Sequence, residues 1–231
     1  MGAHLLEVHD LTVRYPGGTR AISGVEFHIG PGEVVGLVGE SGGGKTTLAL
    51  AISRLLPSGT SVSGSILFEG TNMLTAADRD LERIRGRRLS IIWQEPKAAL
   101  NPVLRCGRQV AEVVRAHNAF CWRQCQAVAS TMLSNVNLPA RAFEAYPHEL
   151  SGGQRQRVVI AQALVCHPAL VIADEPTASL DTATQAGILD LLREWQAQTQ
   201  TAFLFITHQP RLLAGFASRT LALREGRMDG A

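Results

Sequence analysis

Val34-Val35-Gly36-Leu37-Val38-Gly39-Glu40-Ser41-Gly42-Gly43-Gly44-Lys45-Thr46 passes from an apolar run through a glycine-rich turn to a lysine and a threonine. Residues 39–46 satisfy G-x-x-x-x-G-K-[ST]. The apolar run before them has the character of a buried strand, and Thr46 to Leu56 after them has helical composition closed by Pro57-Ser58-Gly59. Glycines let successive backbone N–H groups converge on phosphates without a Cβ in the way, and a helix N-terminus adds partial positive charge. Lys45 is expected to reach the terminal phosphates and the Thr46 hydroxyl to ligate Mg²⁺. A glycine-rich turn that carries Lys-Thr by chance is the bland alternative, and the strand and helix on its two sides argue against it. The stretch reads as a nucleoside triphosphate site formed by Gly39, Glu40, Ser41, Gly42, Gly43, Gly44, Lys45, Thr46 and Thr47.

Upstream, Leu5 to Val13 and Ala21 to Ile29 read as strands around a Gly17-Gly18 turn, the start of a small antiparallel sheet. Downstream, Ser65 to Phe68 and Leu89 to Trp93 are short strand candidates separated by the charged, helix-like segment Asp78 to Arg88. From about Glu95 to Pro147 the pattern is helical, with stretches at Cys106 to His117 and Trp122 to Asn135. Strand-like runs return at Leu170 to Ala173 and Ala202 to Ile206, flanking a helical Thr182 to Gln198. That βαβ rhythm implies parallel strands and an α/β fold. No internal repeat interrupts it.

Leu170-Val171-Ile172-Ala173-Asp174-Glu175 is an apolar strand ending in two adjacent acids. Neighbouring strand residues face opposite ways, so the two can take different jobs. Asp174 is placed to hold Mg²⁺ and Glu175 to polarise an attacking water as a general base. A helix-cap turn before Pro176-Thr177 is the alternative, weakened by the phosphate-type loop upstream.

The whole chain bounds these readings. Its 231 residues suffice for a core that buries roughly 70–75% of the unfolded surface, and 45% hydrophobic with 18% charged residues is ordinary globular composition. A net charge of +2 gives no argument for a nucleic acid or acidic-membrane partner. The N-terminus lacks the basic head and apolar run of a signal peptide, and no run of about 18 apolar residues exists, so a soluble cytosolic chain is expected. Cys106, Cys121, Cys125 and Cys166 lack zinc-site spacing and read as reduced structural thiols.

Leu150-Ser151-Gly152-Gly153-Gln154, followed by Arg155-Gln156-Arg157 and an apolar helical run, resembles the signature sequence of ABC transporter ATPases. Taken alone, a serine and two glycines opening a helix offer N–H groups to an anion or simply cap the helix. The resemblance extends in order from about Leu5 to Arg227. It implies a P-loop NTPase (RecA-like) core with an N-terminal antiparallel β subdomain and an inserted helical subdomain. In one ABC ATPase domain over 1–231, residues 1–94 and 160–231 would form the core and β subdomain, and 95–159 the helical subdomain. It also implies ATP and Mg²⁺ as ligands and a head-to-tail dimer, in which Ser151, Gly152, Gly153 and Gln154 of one subunit complete the ATP site of the other.

Further roles follow from the same resemblance. Tyr15 matches the aromatic residue that stacks on adenine, and Gln94 the glutamine that touches Mg²⁺ and water and signals to the membrane partner. Ser179-Leu180-Asp181 matches the loop that crosses the dimer interface, although it reads equally well as a helix N-cap. His208 matches the histidine that contacts the γ-phosphate and orients the water. Gln209 is a departure, standing where many relatives have Asp, and is expected to alter local packing without removing activity.

Ile92-Trp93-Gln94-Glu95-Pro96-Lys97-Ala98-Ala99-Leu100-Asn101-Pro102 and Tyr146-Pro147-His148-Glu149 resemble the ATPase subunits of peptide, nickel and metal-chelate importers. The partners implied are a second ATPase subunit, transmembrane permease subunits and, indirectly, a substrate-binding protein, with the chain at the inner face of the cell membrane. A soluble ABC ATPase acting on DNA or ribosomes is a rival, as are an exporter motor and a non-hydrolysing clamp. The single cassette, the absence of sustained heptads, and Glu175 with His208 weigh against them.

Overall fold

In the computed structural model the described residues are 4–229, so residues 1–3 and 230–231 of the expected single domain lie outside them. They fall into two compact units, one made of the residues up to Arg85 and from Gln200 onward, the other of Gly86–Thr199. The first unit opens with β1 (Leu6–Arg14), β2 (Arg20–Ile29), β3 (Val34–Val38), α1 (Lys45–Ile52), β4 (Ser61–Phe68), β5 (Thr71–Asn72) and α2 (Asp78–Ile84). The second unit contains β6 (Leu89–Ile92), α3 (Pro96–Ala99), α4 (Cys106–His117), α5 (Trp122–Asn135), α6 (Gly152–Leu164), β7 (Leu170–Asp174) and α7 (Thr182–Thr199). The chain then returns to the first unit for β8 (Ala202–Thr207), β9 (Arg219–Arg224) and β10 (Arg227–Asp229). Among the described residues no helix is long and apolar enough to cross a membrane.

The α/β class is as expected. In the first unit an antiparallel sheet of order β2-β1-β4-β5 buries Leu6, Val8, Leu11 and Val13 of its central strand completely. Beside it, β3 is parallel to both β8 and β9, and β10 pairs antiparallel with β9. Val34 to Leu37 and all of β8 are buried, as parallel strands covered on both faces must be. In the second unit β6 and β7 are parallel, with Ile92 opposite Ala173. Helix α4 buries Cys106, Val110, Ala111 and Val114, and α5 buries Cys125, Ala129, Met132 and Leu133. Both sets recur at three- and four-residue spacing, which gives each helix one apolar stripe. Buried Gln109 fixes the loop before α4: its side chain accepts from Asn101 N at 2.9 Å and donates to the carbonyls of Asn101 at 3.0 Å and Leu104 at 2.9 Å.

Some boundaries differ from the sequence reading. Helix α1 stops at Ile52 rather than Leu56, because Arg54 turns left-handed with φ of 51°. The carbonyls this leaves at Ser53 and Arg54 are taken by the Arg85 guanidinium at 2.8 and 2.6 Å. Helix α2 ends at Ile84, since Arg85 is extended and Gly86 has φ of 75°. Strands β5 and β10 escape the sequence reading because they lack an apolar run, β10 having no buried residue, and β9 because its apolar run, Leu221-Ala222-Leu223, is only three residues long.

Candidate functional site

In the first unit the loop from Gly39 to Lys45 links β3 to α1. Backbone crowds it from behind: a Cβ at Gly39 would lie 2.2 Å from the Leu223 carbonyl oxygen, and one at Gly44 2.5 Å from that of Ala21. Gly44 caps α1 in a left-handed conformation with φ of 99°. No side chain caps this helix, and its first turn holds no acid. Its leading N–H groups therefore keep the character of an anion cradle. At Gly42 a Cβ would meet nothing within 4 Å, so space is open on the loop's other side. Lys45, only 6% exposed, donates to the Gly39 carbonyl at 2.9 Å and the Glu40 carbonyl at 2.8 Å, which holds its ammonium at the loop. Thr46 is exposed, and the Tyr15 hydroxyl lies 3.1 Å from Thr47 Oγ1. Uncapped N–H groups, a lysine ammonium and an exposed hydroxyl fit a triphosphate with a hard cation.

His208 reaches the same end of the same sheet. Val38 pairs with Thr207 in parallel register, so Gly39 and His208 emerge from the carboxyl ends of adjacent strands. Ligands of open α/β sheets bind at those ends. Gln209 sits against the histidine: its amide nitrogen is 3.3 Å from His208 Nε2, and its Oε1 accepts from Arg211 at 3.0 Å.

The second unit repeats that arrangement with β6 and β7. Gln94 follows Ile92 by two residues as Glu175 follows Ala173, and the Gln94 amide donates to Glu175 Oε2 at 3.5 Å. Asp174, the last residue of β7, is 3% exposed. Glu175 has left the strand with φ of 46°. Asp174 thus closes the strand as a buried acid, and the backbone turns left-handed at Glu175. A non-glycine residue in that region costs about 1–3 kcal/mol, a strain that concentrates at functional positions.

Ser151 caps α6: its hydroxyl accepts from Gln154 N at 3.2 Å, while Gln154 Oε1 accepts from Ser151 N at 3.0 Å. The reciprocal bonds make a capping box in which the hydroxyl oxygen accepts, leaving its O–H to donate. Gly152 and Gly153 follow on an exposed helix start, where a Cβ at Gly153 would lie 2.5 Å from Thr184 Cγ2. The Asp181 carboxylate accepts from Thr184 N at 3.0 Å and from Thr184 Oγ1 at 2.7 Å, which holds its pKa below the ordinary carboxylate value. Among the described residues no group of three His, Cys, Asp or Glu side chains is placed to hold a metal. Hard oxygen donors are present in each unit, the Thr46 hydroxyl in the first and the Asp174 and Gln94 side chains in the second.

A family model described as ABC transporter matches residues 22–178, about two thirds of the chain. The chain belongs to the ABC transporter family. As an ABC cassette it is an ATP-binding, ATP-hydrolysing protein. The cassette is 43% identical to the probable peptide ABC transporter ATP-binding protein y4tR of Sinorhizobium fredii, over 97% of this chain and 69% of that protein. It is 39% identical to the oligopeptide transport ATP-binding protein OppD of Bacillus subtilis, over 97% of this chain and 64% of that one. The chain thus spans about two thirds of these relatives' lengths. Among solved structures, the dimeric post-hydrolysis state of the ATP-binding cassette MJ0796 bound to ADP and Pi superposes with a TM-score of 0.86, at 28% identity over 97% of each chain.

In this ABC cassette the sequence reading singled out the groups at the strand ends and missed what supports them. Thr184 is such a residue, bonded to Asp181 and packed on Gly153. Its place three residues after an acid at a helix start was the available signal.

Proposed function

We propose that the chain is the ATP-hydrolysing subunit of a bacterial importer that takes up peptides, nickel or a related metal chelate. It works on separate permease subunits at the inner face of the membrane, served by a substrate-binding protein. The family and the names of the relatives support the transport reading, and those names favour peptides. The dimeric MJ0796 structures support a dimer of cassettes.

One observation carries the hydrolytic part: Gln94 and Glu175 meet at the carboxyl ends of adjacent parallel strands, with Glu175 held in a left-handed backbone. In this reading Lys45 and the N–H groups of residues 39–47 bind the phosphates, and Tyr15 stacks on the base. Glu175 takes a proton from the attacking water, Gln94 touches that water, and His208 contacts the γ-phosphate and orients the water. Mg²⁺, held by Thr46, Asp174 and Gln94, would supply charge neutralisation on the phosphate oxygens. Ser151 to Gln154 serve the partner subunit's nucleotide through the N–H groups of Gly152 and Gly153 and the Ser151 O–H, which remains a donor while its oxygen accepts from Gln154 N. The core at 1–94 and 160–231 carries the chemistry, and the helical subdomain at 95–159 passes closure to the permease.

Deleting the gene and measuring uptake of a labelled oligopeptide tests this. Loss of uptake restored by the wild type, but not by Lys45→Ala, is expected. Unchanged uptake, with ATPase activity that rises on DNA or ribosomes, would overturn the importer reading.

A further inference from the structure

The chain contains two turns of the same sequence and backbone. Glu69-Gly70 joins β4 to β5 with φ of 49° and 77°, and Glu225-Gly226 joins β9 to β10 with φ of 47° and 76°. Left-handed values at both central residues are those of the tight two-residue hairpin turn. Their surroundings differ. Gly70 is exposed, and a Cβ there would meet nothing within 4 Å; Gly226 is buried, and a Cβ there would lie 2.5 Å from the Ala21 carbonyl oxygen. The Gly226 carbonyl accepts from Ser23 N at 2.7 Å, and the Gly226 N–H donates to the Gly43 carbonyl at 3.3 Å.

That last bond reaches the phosphate loop. In a planar trans peptide the C=O and the following N–H point in opposite directions. Drawing the Gly43 carbonyl back to the hairpin therefore aims the Gly44 N–H away from it, toward the side the loop offers to a ligand. Leu223 of the same hairpin adds its carbonyl oxygen, 2.2 Å from a Cβ at Gly39 and 3.4 Å from one at Gly43. We propose that Gly226 is a positioning residue for ATP: through its contacts with Gly43 and Ala21, the β9–β10 turn holds the Gly43–Gly44 peptide in its binding orientation. This rests on reading residues 39–47 as the ATP site.

The two turns provide an internal control. Gly226→Ala and Gly70→Ala carry the same left-handed backbone penalty, so both are expected to lower the thermal unfolding midpoint of the full chain. Only Gly226→Ala is expected to weaken binding of the fluorescent probe N-methylanthraniloyl-ADP, by about tenfold, the worth of about one aligned hydrogen bond to a charged group. Equal affinity in the two variants, with a tightly binding wild type, overturns the inference and leaves the site reading standing. A wild type that does not bind the probe overturns the site reading itself. Amide exchange in the wild type tests the bond without a substitution: the Gly226 N–H is expected to exchange slowly and the Gly70 N–H fast. Equally fast exchange at both overturns the inference even if Gly226→Ala fails to fold.

Discussion

Gln94 donates its side-chain amide to a carboxylate oxygen of Glu175 across 3.5 Å, although 81 positions separate them in sequence. The contact follows from register, since Ile92 and Ala173 pair in parallel and each side chain lies two residues beyond. The register thus holds the Glu175 carboxylate at the strand end, where the general base of the proposed hydrolysis belongs. Glu175→Gln keeps the shape and an amide oxygen but removes the base. Its turnover is expected to fall by about 10²–10⁴-fold with nucleotide binding retained. Steady-state hydrolysis beside a binding titration checks this, and near-normal turnover would remove Glu175 from the role.

Lys45 calls for a different outcome. Its ammonium is bonded to the carbonyls of Gly39 and Glu40, so the charge is already placed at the loop. Lys45→Ala removes both the attraction for phosphate and two bonds that shape the loop. Nucleotide affinity is expected to fall by about tenfold or more, from loss of a charge-assisted contact. Isothermal titration with ADP reads this directly. Unchanged affinity would mean that the glycine-rich loop binds something else.

The loop, the acid pair and the helix start at Ser151 were legible in sequence because each combines a turn signal with an apolar run. Val34–Val38, Cys106–His117 and Trp122–Asn135 were legible to the residue, being bounded by glycine, charge or polar clusters. The supports were not legible. Gly226 sits in a turn between Glu225 and Arg227, and its partners Ala21 and Gly43 lie some two hundred positions away. Arg85 gave no sign that it would close the end of α1, because a guanidinium reaching the carbonyls of Ser53 and Arg54 is a consequence of packing. The positive φ at Glu175 was equally hidden, since an acid after a strand favours no left-handed backbone by itself.

Gly152 and Gly153 offer a paired test of how the start of α6 is packed. Alanine is the better helix former, by at most about 1 kcal/mol at these first two positions of the helix. At Gly152 the added methyl would lie 3.6 Å from Leu180, an ordinary contact, whereas at Gly153 it would lie 2.5 Å from the Thr184 methyl. Thr184 has little freedom to retreat, because its hydroxyl and N–H are both bonded to Asp181. Gly152→Ala is therefore expected to leave the thermal midpoint unchanged or raised, and Gly153→Ala to destabilise by about 1–3 kcal/mol, as overpacking does. Equal midpoints would show that Thr184 yields.

The thiols make a prediction in pH. Cys106 is fully buried, and burial, aided by the Glu149 carboxylate, pushes its pKa from 9.0 to about 11. A pKa raised in the folded state means that folding favours the protonated thiol. The corresponding stability is complete below pH 9 and is lost as the pH climbs toward 11, because the unfolded chain ionises first. The loss is on the order of 2 kcal/mol. Cys106→Ala removes this slope, so the difference in unfolding free energy between wild type and variant is expected to shrink across that window. Urea unfolding of both proteins from pH 8 to 10.5 measures it, and parallel curves would refute the shift. At pH 8 a maleimide is expected to modify exposed Cys121 at once, and Cys106 and Cys125 only after unfolding.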